Sequence, residues 1–249
     1  MANKETGNVV NANNFIEKVN VCDRRKADYN PTNPAIKLIA LTPISKVVKV
    51  CIDVVSAART ALTKVTANRQ NVYGEMDDKA GRCIHLLNSS EATKDEMKQG
   101  KSLLLKYKSQ RISDLPDETL LKAQAAAKGE EAVIPKVIST SQQGFINKLG
   151  HFRDLIIFLK TVAAYKPNEA DLKVEALEAL AASADGLNAE KSSAISAWLT
   201  AISDRNKKLY DEPDGAYLLS TKMMEYVAGA YGKKSDFFKE LQKYPVGNK

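Results

Sequence analysis

Three short phrases occur twice in this 249-residue chain, in the same order and at nearly constant separation. "FIEKV" at Phe15 to Val19 returns as "FINKL" at Phe145 to Leu149. Tyr29, Pro31, Ile36, Lys37, Ala40 and Leu41 return as Tyr165, Pro167, Leu172, Lys173, Ala176 and Leu177. "VYGEMD" at Val72 to Asp77 returns as "LYDEPD" at Leu209 to Asp214. Landmarks repeated in the same order, here 130, 136 and 137 positions apart, mark a repeated structural unit, and that constrains the fold more than any single motif. The expected domains are a first helical unit over 1–112, a connector with a short helix over 113–141, and a second helical unit over 142–249.

Within each half the apolar residues follow a helical period. Ile44, Val48, Cys51, Val55, Ala58, Leu62 and Val65 alternate spacings of four and three, the seam that keeps one helix face against a partner. Val47, Val50, Val54 and Ala61 widen that stripe, as in a helix packed inside a bundle. Phe145, Leu149, Phe152, Ile156, Leu159 and Ala163 repeat the alternation, and Ile195, Trp198, Leu199, Ile202 and Leu209 continue it. Helix ends are expected at Thr42 before Pro43, at Asn168, at Ser235 and at Gly232. The fold class is therefore all-α, two tandem related units of long antiparallel helices joined by a short extended connector. The extended piece is "AVIPKVIST", Ala132 to Thr140, after a short helix released at Gly129.

The Tyr-x-Pro phrases lie 136 positions apart, Tyr29 to Tyr165, and the later tyrosines 137 apart, Tyr73 to Tyr210. One inserted residue turns everything beyond it by about 100° around a continuous helix. An interruption is therefore expected at Pro43 or in "ADGLN" around Gly186. Tyr29 and Tyr165 are read as rings covering a chain reversal that proline fixes, and Lys37 and Lys173 as solvated stems.

The second copy of the phrase, with Tyr165, Pro167, Asn168, Glu169, Leu172, Lys173, Val174 and Leu177, resembles a Tyr-x-Pro-Asn-Glu-x-x-Leu-Lys-Val-x-x-Leu pattern of a family of uncharacterised bacterial all-helical proteins. The resemblance runs from "STSQQGF" to "RNKKLY" and covers most of the second half. The first half lacks Asn-Glu after Pro31. The resemblance implies a helical fold and brings no established activity.

Hydrophobic residues at 44% are enough for a packed core, which excludes wholesale disorder. The net charge of +7 favours anionic partners, but acids are interspersed with the lysines as on ion-paired helix faces rather than gathered into a basic groove. Three scattered cysteines, Cys22, Cys51 and Cys83, argue against a disulfide framework. "MANKETGNVVNANNF" holds no secretory signal, and Ile36 to Val65 is interrupted by charge, so a cytoplasmic protein without a transmembrane segment is expected.

No catalytic, cofactor or metal signature is present. His85 and His151 stand outside any ligand spacing, and neither phosphate-binding glycine loops nor a nucleophile elbow occur. The candidate partner-contact residues are Lys101, Lys106 and Lys108 in "KDEMKQGKSLLLKYKSQR" and Phe237 and Phe238 in the C-terminal "GKKSDFFKELQKYPVGNK", where basic and apolar side chains mix. The sequence thus reads as a non-enzymatic, self-assembling helical interaction protein whose partner is another protein or itself. A membrane-active helical protein and a nucleic-acid binder are the alternatives.

Overall fold

The structure, a computed structural model, describes residues 4–108, 141–211 and 213–247. Every regular element among them is helical: α1 (Lys4–Arg24), a 3-10 turn (Pro34–Ile36), α2 (Leu38–Ser89), α3 (Lys94–Tyr107), α4 (Ser141–Thr161), a second 3-10 turn (Ala170–Leu172), α5 (Val174–Tyr210), α6 (Ala216–Tyr231) and α7 (Asp236–Gln242). Among the described residues no helix is long and apolar enough to cross a membrane. The extended piece expected over Ala132–Thr140 and the short helix before it lie outside the described residues.

The chain divides into two compact units, one of Met1–Lys64 with Ser193–Lys249 and one of Val65–Ser192. This division differs from the sequence boundaries at 112 and 142, which follow the repeated phrases rather than the contacts. Both long helices, α2 and α5, supply residues to both units. In the first unit Phe15, Val19 and Cys22 of α1 pack with Leu219, Met223 and Val227 of α6 and with Phe237 and Leu241 of α7. In the second, Tyr73, Met76, Ala80 and Cys83 of α2 and Tyr107 of α3 close on Leu149, Phe152, Leu155 and Leu159 of α4 and on Leu177 and Ala181 of α5.

Each unit contains one Tyr-x-Pro corner. Tyr29 is 4% exposed, and its hydroxyl donates to the Ile36 carbonyl at 2.8 Å. Tyr165 is 7% exposed, and its hydroxyl donates to the Leu172 carbonyl at the same 2.8 Å, beside Cys83 Sγ at 3.1 Å. In both cases the acceptor is the last residue of the 3-10 turn, seven positions on. A lysine with extended backbone follows, Lys37 or Lys173, whose carbonyl receives the first hydrogen bonds of the long helix. Replacing either tyrosine by phenylalanine leaves a buried carbonyl without its donor. Tyr29→Phe and Tyr165→Phe are each expected to lower stability by about 1–3 kcal/mol in urea denaturation.

Several helix ends fall where expected. Ser235 Oγ accepts from the Phe238 amide, and Gly232, at φ 83°, closes α6 in a backbone region that favours glycine. Others do not. Thr42 is not a cap: α2 has already begun at Leu38, and the Thr42 hydroxyl donates to the Leu38 carbonyl at 2.9 Å. Pro43 lies inside α2, and glycine at 186 does not interrupt α5. Proline this near the start removes one helical donor, and the Ile39 carbonyl it would have served belongs to a residue 86% exposed, where water can take over. The inserted residue therefore breaks neither long helix at these points. Each sends its first and last stretches into different cores, so no core must accept both ends of a register-shifted helix. The chain first leaves the helix after Tyr210, beyond the inserted residue, which both long helices carry without a break.

Candidate functional site

The residues proposed from sequence as partner contacts divide. Lys101, Lys106 and Lys108 are exposed on α3. Lys94, Lys98, Lys101, Leu105 and Lys108 share one exposed face, because steps of four, three, four and three return to the same side of a helix. Phe237 is elsewhere: it is 3% exposed, edge-on to Tyr29 at 6.2 Å between centroids, 5.7 Å from Tyr231, with the Arg25 guanidinium carbon 5.1 Å from its ring centre. Its ring is not available to a partner, since Ser235 starts α7 so that positions 237 and 241 both face the core. Phe238 is half-buried against the same cluster.

The repeated "FIEKV" and "FINKL" phrases carry an inward-reaching lysine in each unit. Lys148 Nζ pairs with Asp77 at 2.6 Å and lies 5.2 Å from the Tyr107 ring centre. Among the described residues Lys18 has no such carboxylate: it is 4% exposed, and its Nζ donates to Ser220 Oγ at 2.7 Å. Burial lowers its pKa to about 8. One turn on, burial raises the Cys22 thiol to about 12, and burial also raises Tyr29. A lysine, a serine, a thiol and a phenol thus meet inside the first unit, but Ser220 is only 2% exposed and no reactant can reach it. Nothing in the sequence around the phrase signals the burial of its lysine.

In the second unit Arg69, 4% exposed, lays its guanidinium 3.9 Å over the Phe145 ring. The Tyr73 hydroxyl donates to the Phe145 carbonyl at 2.9 Å and accepts from Asn188 at 2.8 Å. In the first unit the corresponding Tyr210 hydroxyl donates to Asn8 and accepts from Asn11. Tyr73 thus holds α4 and Tyr210 holds α1. The histidines stand apart, His85 exposed and His151 Nδ1 3.7 Å from Asp154. Among the described residues no three acids, histidines or cysteines gather as a metal site would require.

The surface feature that sets this chain apart lies on the first half of α2. The seam Ile44, Val48, Cys51, Val55, Ala58, Leu62 and Val65 is buried or half-buried throughout. The residues expected to widen it are instead exposed: Val47 at 43%, Val50 at 58% and Val54 at 49%, with Ala61 also outside. Pro43, Val47, Val50, Val54, Ala57 and Ala61 form a second four-and-three stripe, roughly 100° around the helix from the first. Ile39, 86% exposed, adjoins its start. Lys46 and Asp53, both exposed, flank the stripe on the side away from the core. Leu199 of α5, expected in a seam, is likewise 54% exposed. No family model matches the chain, and no curated protein or solved structure does either.

Proposed function

We propose that this chain is a non-enzymatic helical interaction protein, a doubled module related to the all-helical family its second half resembles, whose task is to present helix faces to a protein partner. The observation that carries this reading is the outward stripe of α2, since a row of exposed Ile and Val at heptad spacing has the pattern by which helices recognise one another. The matching layouts of the two corners support the doubling. Each corner belongs to a unit completed by a Tyr73- or Tyr210-bearing helix stretch from the other half of the sequence. In this reading the two copies have exchanged their second halves and form antiparallel helical bundles. The lysine face of α3 provides a second contact area, suited to an acidic partner surface.

The test is site-specific photo-crosslinking in the native host, with the reactive side chain at position 47, 50 or 54. Protein adducts from these positions, and none from an exposed position such as 56 on another face, are expected. An absence of any protein adduct along the stripe overturns the reading.

A further inference from the structure

We infer that the outward stripe of α2 docks on the same stripe of a second copy of this chain, antiparallel, with Val47 of one copy opposite Val50 of the other. The inference rests on the interaction reading above and names the partner. Heptad geometry restricts how two such stripes can face each other. In an antiparallel pair the flank carrying Lys46 and Asp53 faces the same flank of the second copy. With Val47 opposite Val50, Lys46 of each copy meets Asp53 of the other, and the two-fold axis forms that ion pair twice.

The competing alignments lack this complementarity. Sliding one copy by a heptad sets Val50 opposite Val54 and brings Asp53 against Asp53 across the axis, a like-charge contact. A parallel pair sets the Lys46 flank against the half-buried Ile44 and Cys51 side of the other helix, where no opposite charge waits. Charge therefore selects one alignment from a stripe whose apolar residues alone would accept several, the role that flanking charges play in helix pairing. Pro43 falls opposite Val54, so the helix start lies inside the contact.

The pair buries one helix face on each side, and a contact of that size gives a concentration-dependent dimer rather than a permanent one. Sedimentation velocity across a concentration series is expected to show a dimer fraction that rises with concentration. Val50→Glu should weaken self-association at least tenfold, because two-fold symmetry places the charge against both valines at the centre. Lys46→Asp and Asp53→Lys should each weaken it several-fold, and the double variant Lys46→Asp/Asp53→Lys should recover it to within about twofold. These positions are exposed, and unchanged circular dichroism melting of each variant checks that the fold is retained.

A monomer at every concentration, a dimer indifferent to Val50→Glu, or a double reversal that fails to recover association would overturn the inference. A monomer whose position 50 still crosslinks to a different protein overturns self-docking and leaves the interaction reading standing. A monomer without any adduct along the stripe ends both.

Discussion

Gly215→Ala is expected to cost about 3 kcal/mol, enough to remove a large share of the stability of a domain of ordinary size. A Cβ at this position would lie 2.6 Å from the Asp211 carbonyl oxygen, 2.9 Å from the Tyr210 carbonyl carbon and 3.0 Å from the Asp211 nitrogen. All three are backbone atoms, so no side chain can rotate away. Relief requires opening the link between α5 and α6, where the Gly215 amide donates to the Asp211 carbonyl at 2.7 Å. That link fixes how Leu209 on one side and Ala216 and Leu219 on the other enter the core, and all three are fully buried. Gly186→Ala and Gly229→Ala provide the contrast: nothing lies within 4 Å of either added Cβ, and both sit inside helices. These substitutions are expected to raise stability by about 0.5–1 kcal/mol. Urea midpoints for the three variants, with unchanged m-values for the two helical ones, check the set.

Alkaline pH is expected to unfold the protein through groups that it buries in neutral form. Burial raises the Cys22 thiol from 9.0 to about 12, and burial also raises Cys83, Tyr29, Tyr107 and Tyr165. Between pH 9 and 12 the unfolded chain has released the Cys22 proton while the folded chain retains it, so the folded state binds more protons and stability falls as pH rises. Cys22 alone accounts for a loss on the order of 4 kcal/mol across that window. Lys18 acts in the opposite sense. Its folded pKa of about 8 lies below the ordinary 10.5, so the unfolded chain holds the extra proton between those values and stability rises with pH there. The curve should rise slightly from pH 8 to 9, turn down gently where Lys18 and Cys22 offset each other and Cys83 adds its loss, and fall steeply above about pH 10, where the tyrosines join. Lys18→Met is expected to abolish the rise and Cys22→Ala to soften the fall, both measured by denaturation across pH 7–11.

Much of the local architecture is legible in the sequence, because helical period, tyrosine-proline corners and caps such as Ser235 and Gly232 depend on near neighbours. The seam from Ile44 to Val65 is one example, correct at every position. The misread features depend on what lies across space. Both stripes on α2 are apolar and both follow a four-and-three alternation, so periodicity finds them without showing which one the rest of the chain covers. Lys18 has the same local surroundings as a solvated lysine, and only the approach of Ser220 from 202 positions away makes it a buried amine. Phe237 and Phe238 are indistinguishable until the direction of a seven-residue helix is known. Thr42 with Pro43 offers a sound cap, yet the corner preceding it already supplies a start at Leu38, and local preference yields to the tertiary tie made by Tyr29.

The unit of residues 65–192 is continuous in the chain, whereas the other joins residues 1–64 to a stretch that opens at Ser193. During synthesis the continuous unit has all its residues once Ser192 has left the ribosome. The helix bearing Phe15, Val19 and Cys22 is made ahead of that unit but must wait for Leu219, Met223 and Phe237 before its apolar side is covered. A segment made before the continuous unit is thus buried after it, and while residues 65–192 are synthesised and pack, its apolar side stays open to aggregation and to chaperones.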